Sequence, residues 1–158
     1  MYGIFRDEFY YLACSHHLDL GYVDQPPLSI YILTLNRLLF SDSLFALRLF
    51  PAVAGALTVL VTGLIVLKLG GGMLAIVIAC LAMIAAPIHL AMNTVYSMNC
   101  FDILLWTLAA YMLILLIKEN KAIQWILLGI VMGLGLLNKI SMVWFAVSLF
   151  IAIVLTKQ

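Results

Sequence analysis

Apolar runs about as long as a bilayer's hydrocarbon core is thick constrain this chain more than any other feature. They begin at Leu44 or Ala52 and reach Leu67, then cover residues 73–91 and 101–117, with two shorter runs at 122–137 and 140–155. Polar or glycine-rich breaks separate most of them: Lys68 with Gly70, Gly71 and Gly72, then Lys118-Glu119-Asn120-Lys121, then Asn138-Lys139, and finally Lys157. About 20 apolar residues in a helix span a core of ~30 Å. Only helices and closed barrels satisfy every backbone polar group in lipid, and Pro87, near the end of the second run, sits where a lost donor is tolerated. The expected fold is therefore an all-α integral membrane protein. Residues 44–158 form a polytopic helical bundle of about five spans, the last two short enough to be broken or tightly packed. Residues 1–43 form an extracytoplasmic loop carrying interfacial helices. Composition agrees: 66% of the 158 residues are hydrophobic and 9% charged, against roughly 45–50% and about 25% in soluble domains. A chain this small cannot hide so much apolar surface in its own interior, so lipid must cover the rest.

A net charge of +1 without a basic, aromatic-interleaved stripe argues against a nucleic-acid partner. Cys14, Cys80 and Cys100 make neither a CxxC pair nor an even disulfide framework and read as buried or free thiols. The first 24 residues hold acids and aromatics instead of a basic region followed by an apolar one, so a cleaved secretory signal is not expected. Insertion then falls to the chain's own helices or to one upstream.

With alternating spans, Lys68, Lys118, Lys121 and Lys157 share one side, the side that short lysine-rich loops assign to the cytoplasm. The other side receives Asp7, Glu8, Asp19, Asp24 and Asp42 together with His16, His17 and His89, and is read as periplasmic or external. Residues 26–40 are apolar but interrupted by Asn36 and Arg37. Two prolines at a helix start lose no needed donor, and the segment reads as a helix lying on the membrane, with a distorted span as the alternative.

Several polar groups could carry chemistry. Arg6-Asp7-Glu8 leads into Tyr10-Tyr11, aromatics favoured at headgroup depth. One reading makes Asp7 a general base for an acceptor hydroxyl, with Glu8 orienting it or binding a metal; the other is a solvated charge pair. In residues 21–28, GYVDQPPL, a glycine and two prolines fix a turn around Asp24, either to face a sugar or metal-bound phosphate or simply to start a helix. His16 and His17 diverge by about 100° on a helix and do not serve one metal site. Asn99 and Asp102 open the third run. Asp102 there is costly without a partner or a task, and Asn99 reads as a helix cap. Lys139 meets an anionic phosphate or snorkels to the interface. Gly129, Gly133 and Gly135 suggest close helix packing rather than chemistry.

The motif Arg6-Asp7-Glu8-Phe9-Tyr10-Tyr11 followed by Gly21-Tyr22-Val23-Asp24-Gln25-Pro26-Pro27-Leu28 resembles the first extracytoplasmic loop of the protein O-mannosyltransferase and aminoarabinose transferase-like glycosyltransferases, family 39 of the GT-C class. Arg48-Leu49-Phe50-Pro51-Ala52 with Gly55, Ser97-Met98-Asn99-Cys100-Phe101-Asp102 with Trp106, and residues 133–139, GLGLLNK, are similar to that family in the same order. The resemblance implies a membrane glycosyltransferase that moves a sugar from a polyprenyl-phosphate donor to a lipid, glycan or protein acceptor on the outer face of a bacterial or archaeal plasma membrane. It makes Asp7 central to catalysis with Glu8 beside it. It also places Arg6, Tyr11, Asp24 and Gln25 among the substrate-binding residues, and allows a divalent metal at Asp24. The family's second acid falls on Asn99 by spacing or on Asp102 one turn later, Asp102 being favoured because only a carboxylate takes a proton. Arg6, Lys139 and Arg48 are candidates for the phosphate. Family members have more spanning helices than this chain, which therefore reads as a fragment that holds the catalytic loop and need not act alone. The rival class is a non-enzymatic membrane protein, a transporter half or assembly subunit, which would want charges near the bilayer midplane.

Overall fold

The computed structural model describes residues 3–156, which form eight helices and no strand. Lys157, assigned above to the lysine-rich side, lies outside the described residues. Helix α1 (Arg6–Ser15) and helix α2 (Leu28–Phe40) precede α3 (Leu44–Lys68), the longest at 25 residues. Next come α4 (Met73–Ala85), α5 (Pro87–Thr94), α6 (Met98–Glu119), α7 (Ala122–Asn138) and α8 (Met142–Thr156). Helices α3 and α6 are long and apolar enough to cross a membrane. The run at 73–91, expected as one span, is instead two helices bent by 59° at the Ala86–Pro87 junction. Proline at the first position of α5 fits a new helix start but cannot continue α4. Helices α7 and α8, at 17 and 15 residues, are shorter.

Helices α3 and α6 run parallel, because their starts meet through α1 and their ends meet at a charge cluster. At that lower end Lys68 and Glu119 pair at 2.8 Å and Lys121 and Glu119 at 2.9 Å, while Lys118 donates to the carbonyl of Lys68. Lys68, Lys118 and Lys121 thus share one end of the bundle. Asn120 takes a left-handed conformation, φ 48°, to close α6, a role asparagine tolerates.

Helix α6 packs on both α3 and α7, and α2 lies against α1, α3 and α7. The main core joins Tyr11, Ile30, Leu33, Leu47, Ala54, Tyr96, Phe101 and Leu105 near the upper end. In α2 the buried Ser29, Ile30, Leu33 and Asn36 fall on one face, while Leu35, Leu38, Leu39 and Phe40 are exposed. Asn36 is anchored to the carbonyl of Ala46 at 2.6 Å, which explains why an asparagine interrupts this apolar run. A Cβ on Gly55 would meet Asn93 Cγ at 2.8 Å, so a missing side chain lets α5 approach α3. Of the three glycines in α7, only Gly135 packs closely: its Cβ would meet Met142 Cε at 2.3 Å, whereas Gly129 and Gly133 have nothing within 4 Å. The expected small-residue packing is therefore confined to one turn.

Candidate functional site

The upper end is organised around Glu8. It is fully buried, and four groups donate to its carboxylate: the N–H of Phe5 (2.7 Å), the N–H of Tyr96 (2.9 Å), and Arg48 through Nε (3.2 Å) and a terminal nitrogen (3.0 Å). Burial pushes the Glu8 carboxyl up, but the Arg48 hydrogen bonds, the two backbone donors and the Arg48 charge outweigh it and hold the carboxyl below its ordinary value. A buried charge persists when it is paired and hydrogen-bonded in this way. Glu8 thereby ties α1 to α3 and to the loop ahead of α6. Arg48 also bonds the carbonyl of Gly3, so this arginine, a candidate for phosphate above, is committed to the scaffold.

Asp7, one residue earlier in α1, points elsewhere and is exposed, with Arg6 Nε 3.4 Å away. Tyr11 lies four residues on, on the same helix face. Its hydroxyl accepts the N–H of Met98, the first residue of α6. Burial raises the Tyr11 phenol to about 12 against the lowering effect of that N–H, with the charges of Cys100, Asp7 and Tyr10 adding to the rise. Asp7 thus lies one helix turn before a tyrosine that touches the start of α6. Tyr10 next to it is also raised to about 12, by burial first and then by the nearby Cys14 thiol and Asp24 carboxylate. That places exposed Asp24 beside α1, and Tyr10 and Tyr11 stand edge to face at 6.1 Å.

The turn between α7 and α8 forms the other wall. Lys139 Nζ donates to Asn99 Oδ1 at 2.8 Å and lies 3.6 Å from Asp102 Oδ2. Ser141 donates to Asp102 Oδ1 at 2.8 Å, and Asn138 to the carbonyl of Met98 at 2.9 Å. Three polar side chains of one turn therefore grip the first turns of α6. Asn99 is not the cap of that helix: Ser97 takes the position, its Oγ accepting the N–H of Asn99. Serine and asparagine are equally good caps in sequence, and Asn99 is used instead by Lys139.

Gln25 is 95% buried by its 5% exposure, and its Nε2 has no partner. Asp24 does not gather other ligands: among the described residues no three His, Cys, Asp or Glu side chains come together for a metal. One carboxylate is too thin a sphere for a hard cation that takes six to eight oxygens, so the residues around Asp24 do not fit a metal. His16 and His17 are exposed at the end of α1. A cavity of about 410 Å³ lies apart from all these groups, between α3 and the α4–α5 bend, lined by Gly55, His89, Asn93 and Thr94 among others. Ser141 and the Glu8–Arg48 pair were missed from sequence. The acidic and cationic partners stand forty residues apart, and a lone serine in an apolar run carries no signal.

Comparison with known proteins places the chain among membrane glycosyltransferases. The undecaprenyl phosphate-alpha-4-amino-4-deoxy-L-arabinose arabinosyl transferase of Pseudomonas aeruginosa (strain UCBPP-PA14) is 28% identical over 137 residues, covering 82% of this chain and 24% of that protein. The chain thus spans about a quarter of the length of this curated relative. No solved structure matches the chain. The family described as Dolichyl-phosphate-mannose-protein mannosyltransferase matches residues 24–158, from Asp24 through the Asn99–Lys139 contact to the end, and the chain belongs to that family.

Proposed function

We propose that the chain carries the donor side and the catalytic loop of a glycosyltransferase that takes a sugar from a polyprenyl phosphate. The observation that supports this most is that Asp7 lies one helix turn before Tyr11, whose hydroxyl accepts the N–H of Met98 at the start of α6, beside Asn99, which holds Lys139. Transfer needs a proton acceptor and a cation at one sugar carbon. The acceptor oxygen attacks the anomeric carbon, the bond from that carbon to the phosphate oxygen breaks, and the electron pair leaves with the phosphate. Asp7 takes the acceptor's proton. Lys139, presented by Asn99 and Asp102, neutralises the phosphate, with exposed Arg6 as a second cation. Asp102 has both oxygens engaged, so we assign it the holding of Lys139 rather than proton acceptance. Glu8 is a positioning residue, and Tyr11, Asp24 and Gln25 line the approach.

Six of the seven acids lie at this end, while Glu119 sits among lysines at the other. The arginines of the upper end, Arg6, Arg37 and Arg48, are each paired with a carboxylate. We therefore place this upper end on the extracytoplasmic face, with the lysine-rich end in the cytoplasm, α2 at the interface and α7 and α8 completing about five spans. The acceptor is a hydroxyl of a lipid, glycan or protein. Charges keep to helix ends, as this reading requires and an ion path would not. Membranes containing the protein, given a synthetic radiolabelled polyprenyl-phosphate sugar, are expected to transfer the label. An Asp7→Asn variant of equal abundance is expected to lose at least about a hundredfold, since positioned proton transfer contributes on the order of 10²–10⁴. Equal transfer by the variant would remove Asp7 from the chemistry.

A further inference from the structure

We infer that Ser141 is a positioning residue that fixes Asp102, and through it holds the Lys139 ammonium over the first turn of α6. The inference rests on the reading above, in which Lys139 meets the donor phosphate. A carboxylate on a helix has two oxygens that exchange by rotation about its last torsion, a broad and weakly restrained one. Here the Ser141 hydroxyl holds Oδ1 at 2.8 Å, which leaves Oδ2 toward Lys139 at 3.6 Å. Lys139 is a flexible cation on a long stem, and its close contact at 2.8 Å is to the uncharged Asn99 Oδ1. Without Ser141 the charged partner is free to turn away, and the ammonium is left with a neutral tether.

The backbone makes this arrangement stiff. The N–H of Lys139 is bonded to the carbonyl of Gly135 at 2.8 Å, and the carbonyl of Lys139 accepts the N–H of Met142 at 3.3 Å. Met142 is fully buried against Gly135, and Asn138, also fully buried, is bonded to the carbonyl of Met98. Asn138, Lys139 and Ser141 thus read three successive levels of α6, at Met98, Asn99 and Asp102. The turn itself is fixed at Asn138, so the loss of the Ser141 hydroxyl loosens the ammonium without releasing the helices.

The chain in nanodiscs, reductively methylated with ¹³C on its lysines, tests this with no need for turnover. The Lys139 resonance, identified by its loss in Lys139→Arg, is expected apart from the signals of mobile lysines. In Ser141→Ala it is expected to move into that envelope, and in Ser141→Thr, which keeps the hydroxyl, to stay. Farnesyl phosphate titrated into the same samples should bind about tenfold more weakly to Ser141→Ala and within about twofold of the wild type to Ser141→Thr, the size of one charge-assisted hydrogen bond. The melting temperature should differ little between the two variants, which a merely structural serine would not allow. An unmoved Lys139 resonance in Ser141→Ala overturns the inference whatever farnesyl phosphate does. A resonance that moves as expected in a protein whose Lys139 does not respond to farnesyl phosphate keeps the positioning role and overturns the phosphate reading.

Discussion

Replacing Arg48 by methionine removes the contact that holds the upper end together, along with the bond to the Gly3 carbonyl. The side chain keeps its stem but loses the two hydrogen bonds, at 3.2 and 3.0 Å, that reach Glu8. Glu8 stays fully buried with the N–H groups of Phe5 and Tyr96 as its remaining donors. Removing one member of a buried pair costs about 3–5 kcal/mol. Arg48 is 28% exposed on its side chain, so water reaches the gap and the lower figure, about 3 kcal/mol, is expected at neutral pH. The loss should depend on pH with a definite sign. The Glu8 carboxyl is held below its ordinary value of 4.5, so its contribution is fully present above about pH 4.5 and is lost as the pH falls through the lowered folded value. In Arg48→Met burial is no longer opposed by the guanidinium, the carboxyl rises and protonates, and the variant's deficit narrows below about pH 4.5. Unfolding in mixed micelles, followed by tryptophan fluorescence at neutral pH and near pH 4, measures both effects. A deficit below about 1 kcal/mol at neutral pH, the range of an exposed pair, or one equal at both pH values, would refute the reasoning.

Other outcomes follow from single contacts. Ser97→Ala is expected to cost about 1 kcal/mol as the loss of a helix cap, while Asn99→Ala leaves the cap intact and lowers farnesyl phosphate binding; unfolding and titration of both variants separate the two roles. Gly135→Ala should cost about 1–3 kcal/mol by overpacking against Met142, whereas Gly129→Ala and Gly133→Ala should be neutral or stabilising by up to about 1 kcal/mol, as read from the same unfolding curves. Glu119→Gln releases two solvent-screened lysines and should leave the unfolding curve nearly unchanged. Cysteines placed at residues 68, 118 and 121 should label from one face of sealed vesicles and those at 7, 24 and 102 from the other, and mixed labelling would overturn the assigned topology.

Periodicity and composition made the long helices legible, because α3 and α6 need only length and apolarity to be recognised. Their stops were equally plain in Gly70, which takes φ 91°, and in Asn120. Pro87 was visible, but whether a proline near a run's end terminates or bends it depends on what the next helix packs on, here α3. Candidate site residues stood out in sequence as residue types in a fixed order: Asp7, Asp24, Asn99, Asp102 and Lys139. What sequence did not carry was the division of labour. Ser97 and Asn99 are interchangeable as caps until Lys139 claims one of them. Glu8 beside Asp7 looks like half of an acid pair until Arg48 and two backbone donors absorb it.

The most direct measurement of the central claim is where the donor's phosphate end lands. A polyprenyl phosphate with a diazirine next to its phosphate, cross-linked to the protein in nanodiscs and mapped by mass spectrometry, should label residues around Asp7, Tyr11, Asn99 and Lys139, with Lys139→Ala weakening the labelling about tenfold or more, the loss of one charge contact. Labelling concentrated instead at His89 and Asn93, around the separate cavity below, and unchanged by Lys139→Ala, would contradict the account.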